Sequence, residues 1–457
     1  MTHPLLDISG KVCLVTGGTS GLGKAIALGY AQAGAKVIAA SSNPDKVQAM
    51  QKELSAIGTG HDAIALNVTD ASAVETALKN AAAKYGRLDA VVSAAGAHKK
   101  QPALEMSVEE YERIIRINLI GRQYHRILEA GKAVLDGTRP RHRGLSFVPR
   151  MLLRLTKSPK RLGRLARWGK RAQHLPMPSA LKSLMPMLAY HPEMIPPAPR
   201  VSPAQGKASF FQGCVQEALY HDANRAAVEL LAAVGYEVKT PAMQTCCGAL
   251  AWHAGRSEEA RALARRNIEA FEGTGDVPIV NTAGGCGAML SEYGELFASD
   301  PDWSERADRF SRRVKDWTAL IEERPLRFVG TGERVTLQNS CHLLNVEGGG
   351  DVPAKLAAAV EGDTFVPIPG QDRCCGSAGI YNIQHPDWAS RILVEKMSEV
   401  QERFPDRVLV VNPGCQLEMT QGVQQRELPA EVEHLARYLY RAFLRGQRES
   451  QGFHQVE

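Results

Sequence analysis

Thr245-Cys246-Cys247-Gly248-Ala249 returns 128 residues later as Arg373-Cys374-Cys375-Gly376-Ser377. Each adjacent cysteine pair has one cysteine upstream and one downstream, at distances that differ by one residue between the copies. Eight of the nine cysteines are used in this way. Four thiols per copy is the complement that an iron–sulfur cluster or a tetrahedral zinc ion needs. We therefore predict two metal sites: a first quartet of Cys214, Cys246, Cys247 and Cys286, and a second quartet of Cys341, Cys374, Cys375 and Cys415.

Glycines accompany the cysteines in both copies. Gly248 and Gly376 follow the adjacent pairs, where a glycine can adopt a positive φ and leaves room beside a cofactor. We expect the same freedom in the loops of the downstream cysteines, at Gly284, Gly285, Gly287 and Gly414. Buried structural cysteine is the alternative, and it is common for single residues. Eight thiols in duplicated spacing favour metal binding.

The bulk composition is that of an ordinary folded protein. The 457 residues suggest about three domains. With 44% hydrophobic and 23% charged residues, disorder is not expected. No segment approaches the ~18 consecutive apolar residues of a membrane span. The first residues lack the pattern of a secretory signal, so we predict a cytoplasmic protein, where clustered cysteines more often bind metal than form disulfides.

The positive charge is concentrated in one segment. Residues 122–171 carry 15 Lys and Arg against two acidic residues, while the whole chain has a net charge of +6. The basic character is therefore local and gives no support for nucleic-acid binding. Leu and Trp interleave with the basic residues over 139–171. Two interpretations stay open: a helix that makes peripheral contact with anionic lipid at the inner face of the membrane, or an arm packed on its own protein.

Strands alternate with helices along most of the chain. At the N-terminus, strands are predicted over 11–16, 37–40, 62–68 and 88–93, with helices between them. Each later copy has three predicted strands, over 208–212, 236–239 and 277–281, then over 335–338, 364–368 and 407–411. This alternation is typical of parallel, doubly wound sheets. Every cysteine group follows the end of a strand, so each quartet is expected at one rim of its sheet, where such folds bind ligands.

The two copies resemble the CCG-domain iron–sulfur proteins, which include heterodisulfide reductase B-type subunits and the iron–sulfur subunit of bacterial glycolate oxidase. Gly213-Cys214-Val215-Gln216 and Cys374-Cys375-Gly376-Ser377-Ala378-Gly379 carry this resemblance, which covers about residues 123–445. It implies [4Fe-4S] clusters, one per repeat at most. It also implies electron transfer from FAD-containing 2-hydroxy-acid oxidase subunits toward a quinone-level acceptor. The hydroxy acid would be oxidised on the partner, so no catalytic residue is assigned here.

Two departures from the family pattern matter. Some members end each repeat with Cys-x-x-Cys, but the first of those positions is Ala283 or Asn412 here. The glycolate oxidase subunit normally begins with a ferredoxin-like region of Cys-x-x-Cys runs, which these 457 residues lack. A separate ferredoxin-like partner is one way to replace it.

Residues 8–121 resemble the short-chain dehydrogenase/reductases. A glycine loop follows the first strand and opens a helix, as pyrophosphate binding requires. The resemblance implies NAD(P) contacts at Gly17, Ser20, Gly21, Leu22, Gly23, Asn67, Val68, Ala95 and Gly96. None of the eleven tyrosines has Lys at the fourth position after it, so the proton-transfer pair of that family is missing. The missing carboxylate after the second strand favours NADP over NAD.

We therefore predict an α/β protein: a truncated Rossmann half-sheet, a helical connector and two tandem CCG α/β domains. The expected boundaries are 1–121, 122–206, 207–330 and 331–447, with a tail over 448–457. The predicted function is an electron-transfer subunit of a 2-hydroxy-acid oxidase. Three alternatives stay open: a structural zinc protein, a dinucleotide-binding dehydrogenase-like protein, and a non-functional fusion.

Overall fold

The computed structural model describes residues 8–96 except 69, 162–164, 192–200, and 204–450 except 325, 372 and 380. The predicted basic helix of residues 139–171 lies outside these ranges apart from 162–164, and the predicted tail lies outside them beyond residue 450. Residues 192–200, in the proline-rich segment, have no regular secondary structure. No helix in the described ranges is both long and apolar enough to cross a bilayer. An N-terminal and a C-terminal unit are described in turn.

The N-terminal unit is a four-stranded parallel sheet in the order β3-β2-β1-β4. Apolar residues alternate between two layers along β1, since Val12 and Leu14 face α3 while Cys13 and Val15 face α1 and α2. Helices therefore cover both faces, which is why the central strands are continuous apolar runs. The elements are β1 (Val12–Thr16), α1 (Gly21–Gln32), β2 (Lys36–Ser41), α2 (Pro44–Ile57), β3 (Asp62–Ala65), α3 (Ala71–Tyr85) and β4 (Ala90–Ser93).

The C-terminal unit contains two further parallel sheets with the same strand order, β6-β5-β7-β8 and β10-β9-β11-β12. The elements of the first repeat are β5 (Gly206–Phe211), α4 (Val215–Leu219), α5 (His221–Ala233), β6 (Tyr236–Lys239), α6 (Ala249–His253), α7 (Ser257–Glu272), β7 (Ile279–Asn281), α8 (Gly284–Ser291), α9 (Tyr293–Leu296), α10 (Ser304–Arg312), β8 (Val314–Asp316) and α11 (Trp317–Glu322). Those of the second are β9 (Arg334–Gln338), a π-helix (Leu343–Glu347), α12 (Val352–Ala358), β10 (Thr364–Phe365), α13 (Tyr381–Gln384), α14 (Pro386–Gln401), β11 (Arg407–Val410), α15 (Pro413–Gln425), β12 (Glu431–His434) and α16 (Leu435–Ser450).

The two repeats share one hydrophobic core. Phe210 and Val280 from the first sheet belong to the same buried cluster as Leu337 and Leu409 from the second. Helix α16 contributes Tyr438, Leu439 and Phe443 to this cluster. Burial of this continuous apolar surface is the main favourable contribution to folding that the two sheets share.

The prediction of an α/β fold with parallel sheets is confirmed. Among the elements that were not predicted are the short strand β8, the strand β12 and the long helix α16. The alternating Glu431-Val432-Glu433-His434 sequence hides β12, because the charge of Glu433 is buried in ion pairs with Arg407, at 2.9 Å, and with Arg441.

A buried histidine joins the two repeats. His434 at the end of β12 is inaccessible to solvent, and its Nε2 donates to the carbonyl of Thr282 in the first repeat at 2.8 Å. Its Nδ1 accepts the backbone N–H of Ala436 at 3.1 Å. Because a carbonyl only accepts and an N–H only donates, the imidazole is the neutral Nε2–H tautomer. Burial lowers the pKa of His434 from 6.5 to about 4.

This histidine should make the unit less stable in acid. The unfolded chain protonates His434 near pH 6.5 and the folded chain only near about pH 4, so the unfolding free energy falls as pH drops through that window. The full difference corresponds to about 3 kcal/mol. Urea denaturation at about pH 7 and about pH 5 measures the effect. His434→Gln should have a weaker pH dependence, whereas the control His221→Gln, at an exposed position, should keep it. Equal pH dependence in wild type and His434→Gln would contradict this role.

Candidate metal centres and the N-terminal glycine loop

The four sulfurs of the first quartet converge. The Sγ atoms of Cys214 and Cys246 lie 3.3 Å apart. Cys247 is hydrogen-bonded to both Cys246 and Cys286. Three of the four thiols are buried, and Cys286 is partly exposed. The parallel strands β5, β6 and β7 bring these groups to one rim, because each cysteine group lies soon after a strand ends.

The second quartet repeats this arrangement. The Sγ atoms of Cys375 and Cys415 lie 3.3 Å apart. Cys374 is hydrogen-bonded to Cys341 and to Cys375. Cys341 and Cys374 are partly exposed, so this quartet is closer to solvent than the first.

The Cys-Cys-Gly turn has the same geometry in both copies. Gly248 has a φ of +93° and Gly376 a φ of +101°, in the region that favours glycine. The Gly248 N–H donates to the Cys246 sulfur at 3.5 Å, and the Gly376 N–H donates to the Cys374 sulfur at 3.3 Å. The predicted positive φ at these two glycines is confirmed.

The corresponding prediction for the downstream cysteines is wrong. Cys286 and Cys415 lie in the first turns of α8 and α15, and the glycines beside them have ordinary helical φ. These glycines are required for space instead. A Cβ on Gly284 would lie 2.7 Å from Ser340 Oγ, and one on Gly287 would collide with the Glu347 carboxylate.

A buried polar pair holds the first Cys-Cys turn. Asn267 on α7 accepts the Thr245 N–H at 2.7 Å and donates to the Cys246 carbonyl at 3.0 Å. The Tyr293 hydroxyl donates to the Cys247 carbonyl at 2.7 Å. Neither Asn267 nor Tyr293 is accessible to solvent. This pair was not predicted, and the only sequence signal for it is a single Asn on the apolar face of an amphipathic helix.

The thiols perturb each other's proton affinity. Hydrogen bonding to Cys246, together with burial, raises the pKa of Cys214 and of Cys247. In the second quartet, hydrogen bonding to Cys374 and burial raise the pKa of Cys341, whereas hydrogen bonds from its neighbours lower the pKa of Cys374. Metals bind thiolates, so metal binding would displace the protons that these buried thiols retain.

The donor chemistry fits a thiophilic metal. All nine cysteines are free thiols, and each quartet offers four sulfurs. Within the described ranges, no group of three or more His, Cys, Asp or Glu side chains has the spacing that would hold a metal ion without rearrangement. The 3.3 Å sulfur contacts are closer than the about 3.8 Å edge of a zinc tetrahedron, so the quartets converge without a preset coordination geometry. The donor set alone fits iron–sulfur and zinc equally well.

A buried carboxylate lies beside each quartet, and neither was predicted. Burial, with Asp316 and Cys286 nearby, raises the pKa of Glu347 well above its usual range. Among the residues that the structure describes, neither carboxylate oxygen of Glu347 has a hydrogen-bond partner. Burial also raises the pKa of Glu418, which accepts from Asn382 and lies near Cys374.

The Gly287–Glu347 contact predicts a measurable loss of stability. Gly287→Ala places a methyl group against the carboxylate end of the Glu347 side chain, which must move, so we expect a loss at the lower end of the about 1–3 kcal/mol that overpacking typically costs. Gly273→Ala is the control, because nothing lies within 4 Å of its Cβ position. Urea denaturation should show a lower midpoint for Gly287→Ala only, and Glu347→Ala in the same chain should restore part of the loss. A midpoint for Gly287→Ala at or above that of wild type would contradict the packing.

The structure brings together only some of the residues that were predicted to contact a dinucleotide. Gly17, with a φ of +68°, lies against Ala94, since a Cβ there would be 2.6 Å from the Ala94 carbonyl oxygen. Ser20 precedes α1 without a side-chain cap, and Leu22 is 75% exposed.

The remaining predicted contacts follow different strands. Gly21 and Gly23 lie in the first turn of α1, Ala95 and Gly96 follow β4, the neighbour of β1, and Asn67 and Val68 follow β3 at the far edge of the sheet.

Family models match two parts of the chain. The short-chain dehydrogenase model matches residues 11–126, and the cysteine-rich domain model, CCG, matches residues 208–291 and 335–420. The latter two matches contain both quartets.

Curated relatives match the C-terminal half. The probable glycolate oxidase iron-sulfur subunit of Bacillus subtilis strain 168 is 37% identical over 250 residues, which cover 53% of this chain and 56% of that protein. Lactate utilization protein A of Oceanobacillus iheyensis is 32% identical over 237 residues, which cover 51% of this chain and 96% of that protein. The chain thus spans little more than half of the Bacillus subtilis protein but nearly all of the second relative.

Solved structures match the N-terminal part. A short-chain type dehydrogenase/reductase from Mycobacterium marinum is 34% identical and covers 28% of this chain and 51% of that chain, with a TM-score of 0.26. This score is too low for the structural likeness to add to the family match.

Proposed function

The chain belongs, over its C-terminal half, to the cysteine-rich CCG family that includes lactate utilization protein A, and we propose on this premise that it is an iron–sulfur electron-transfer subunit of a 2-hydroxy-acid oxidising complex. One observation carries the proposal. Four thiols converge at the rim of each of two equivalent sheets, with the same glycine turn in both. A single structural site would not require this duplication, whereas a chain of electron carriers uses it directly.

The proposed ligands are the eight cysteines of the two quartets. An iron–sulfur cluster, when bound, accepts and releases single electrons. The chain's own groups hold it: the thiolates bind iron, and the Gly248 and Gly376 N–H groups donate to cysteine sulfurs. The buried surroundings exclude water from the first quartet more completely than from the second. We propose one [4Fe-4S] cluster per quartet.

The second quartet is the proposed point of exchange with other proteins. Two of its thiols, Cys341 and Cys374, are partly exposed, compared with only Cys286 in the first quartet. Electron transfer slows steeply with distance, so the cluster nearer the surface exchanges electrons faster with a partner. We propose that the donor is an FAD-containing subunit that oxidises a small 2-hydroxy acid. The names of the relatives, glycolate oxidase iron-sulfur subunit and lactate utilization protein A, support this substrate class.

The remaining assignments are proposals of the same kind. The acceptor would be at the level of a quinone, reached directly or through a ferredoxin-like partner. The site of action would be the cytoplasm. The boundaries 1–121, 122–206, 207–330 and 331–447 divide the chain into a dinucleotide-binding-like segment, a connector and two repeats.

Metal analysis of anaerobically purified protein tests the proposal. Iron and acid-labile sulfide should be present in equal amounts, and dithionite should produce an EPR signal of reduced clusters. Cys247→Ser and Cys375→Ser should each remove about half of the iron, because each breaks one quartet. Cys13→Ala is the control, since this buried thiol belongs to neither quartet.

Two results would contradict the proposal. Zinc without sulfide would make the quartets structural sites. Iron content that is unchanged by Cys247→Ser and Cys375→Ser would place the iron elsewhere.

A further inference from the structure

The segments that immediately precede the downstream cysteines of the two repeats are in direct contact. The Gly284 N–H, at the start of α8, donates to the Val411 carbonyl of the second repeat at 3.2 Å. The next N–H, of Gly285, donates to the Asn412 side-chain oxygen at 3.1 Å. The loop before Cys286 is therefore hydrogen-bonded to the loop before Cys415.

Asn412 also reaches the second quartet. Its Nδ2 lies 3.7 Å from the Cys415 sulfur, within hydrogen-bond range for a sulfur acceptor. The orientation of the amide is determined by chemistry, because the Gly285 N–H can only donate and therefore requires the amide oxygen. The amide NH₂ must then face the sulfur. One side chain thus contacts the ligand loops of both quartets.

The surrounding backbone keeps Asn412 in this position. Its own carbonyl accepts the Gln416 N–H at 2.9 Å in the first turn of α15. A Cβ on Gly285 would lie 3.2 Å from the Asn412 Oδ1, and a Cβ on Gly414 would lie 3.3 Å from its Nδ2. Both neighbours are glycines, so the amide fits between the two loops.

The first repeat has no side chain equivalent to Asn412. The position that corresponds to Asn412 in the first repeat is Ala283, whose side chain has no hydrogen-bonding group. An N–H donated to a ligand sulfur stabilises the added electron and raises the reduction potential of a cluster. This particular donor is present at the second quartet and has no counterpart at the equivalent place in the first.

We propose that Asn412 is a positioning residue that connects the two cluster loops and, through its N–H···S hydrogen bond to Cys415, raises the reduction potential of the second cluster. This inference rests on the proposed function. Its consequence is that electrons are stabilised on the more exposed cluster, from which they are exchanged with a partner. The first cluster feels Asn412 only through the Gly285 hydrogen bond.

Two substitutions separate the two hydrogen bonds. Asn412→Asp keeps an oxygen for the Gly285 N–H but replaces the donor to sulfur with a negatively charged oxygen. Asn412→Ala removes both hydrogen bonds. Asn345→Ala is the matched control, because the Asn345 amide donates to the backbone carbonyl of Cys341 at 2.8 Å and not to a ligand sulfur.

Potentiometric EPR titration of the full chain, purified anaerobically, measures the effect. The second cluster is identified as the one whose signal is lost in Cys375→Ser. Its midpoint potential should shift to more negative values in Asn412→Ala, and further in Asn412→Asp, while Asn345→Ala matches wild type. The signal of the first cluster should change in Asn412→Ala, because this variant loses the hydrogen bond to the Gly285 N–H. If Asn412→Ala does not assemble the second cluster, the midpoint potential of that cluster in Asn412→Asp tests the proposal.

Failure of the inference and failure of the proposed function are distinguishable. A second cluster that assembles in Asn412→Asp with the wild-type potential would overturn the role of Asn412 and leave the proposed function intact. An equal shift in Asn345→Ala would also overturn it, because any loss of a nearby amide would then suffice. Wild-type protein without iron and sulfide would overturn both.

Discussion

Four thiols can be brought into mutual contact inside a protein only if the backbone around them is fixed by other groups. The thiols offer little energy of their own for this, and like charges on them repel. In the first repeat, the buried Asn267 and Tyr293 fix the backbone of the Cys-Cys turn by donating hydrogen bonds to its carbonyls. The turn in each copy also requires a glycine with positive φ. The rest of the C-terminal unit, with its two equivalent sheets, serves to deliver three chain segments to each rim.

The repeats depend on each other more than a tandem arrangement requires. They share one hydrophobic core, and His434 binds across it to Thr282. Glu347 of the second repeat fills the space that Gly287 leaves beside the first quartet. Asn412 links the two downstream ligand loops. A substitution at one quartet is therefore expected to change the structure around the other quartet. Such coupling suits two cofactors that act in sequence.

Residue spacing predicted the quartets, the strands before them and the positive φ of Gly248 and Gly376, because these depend on local geometry and on a repeat visible in the chain. The contacts between the repeats were not predictable in this way. Asn412 and Gly285 are 127 residues apart, and nothing near Asn412 marks it as a partner of a backbone N–H in the other repeat. Glu347 and Glu433 have acidic side chains that single-sequence patterns place at the surface, but tertiary contacts bury the carboxylate oxygens of Glu347 and the whole of Glu433. The glycines of α8 illustrate the same limit, since the sequence showed that they are small but not which neighbour required it.

Native mass spectrometry of the anaerobically purified chain tests most directly whether each quartet holds an iron–sulfur cluster. The intact chain should exceed the mass of its polypeptide by two [4Fe-4S] increments, and mild acid should release both together with sulfide. A mass equal to the bare polypeptide, or increased only by zinc ions, would contradict cluster binding by the two quartets.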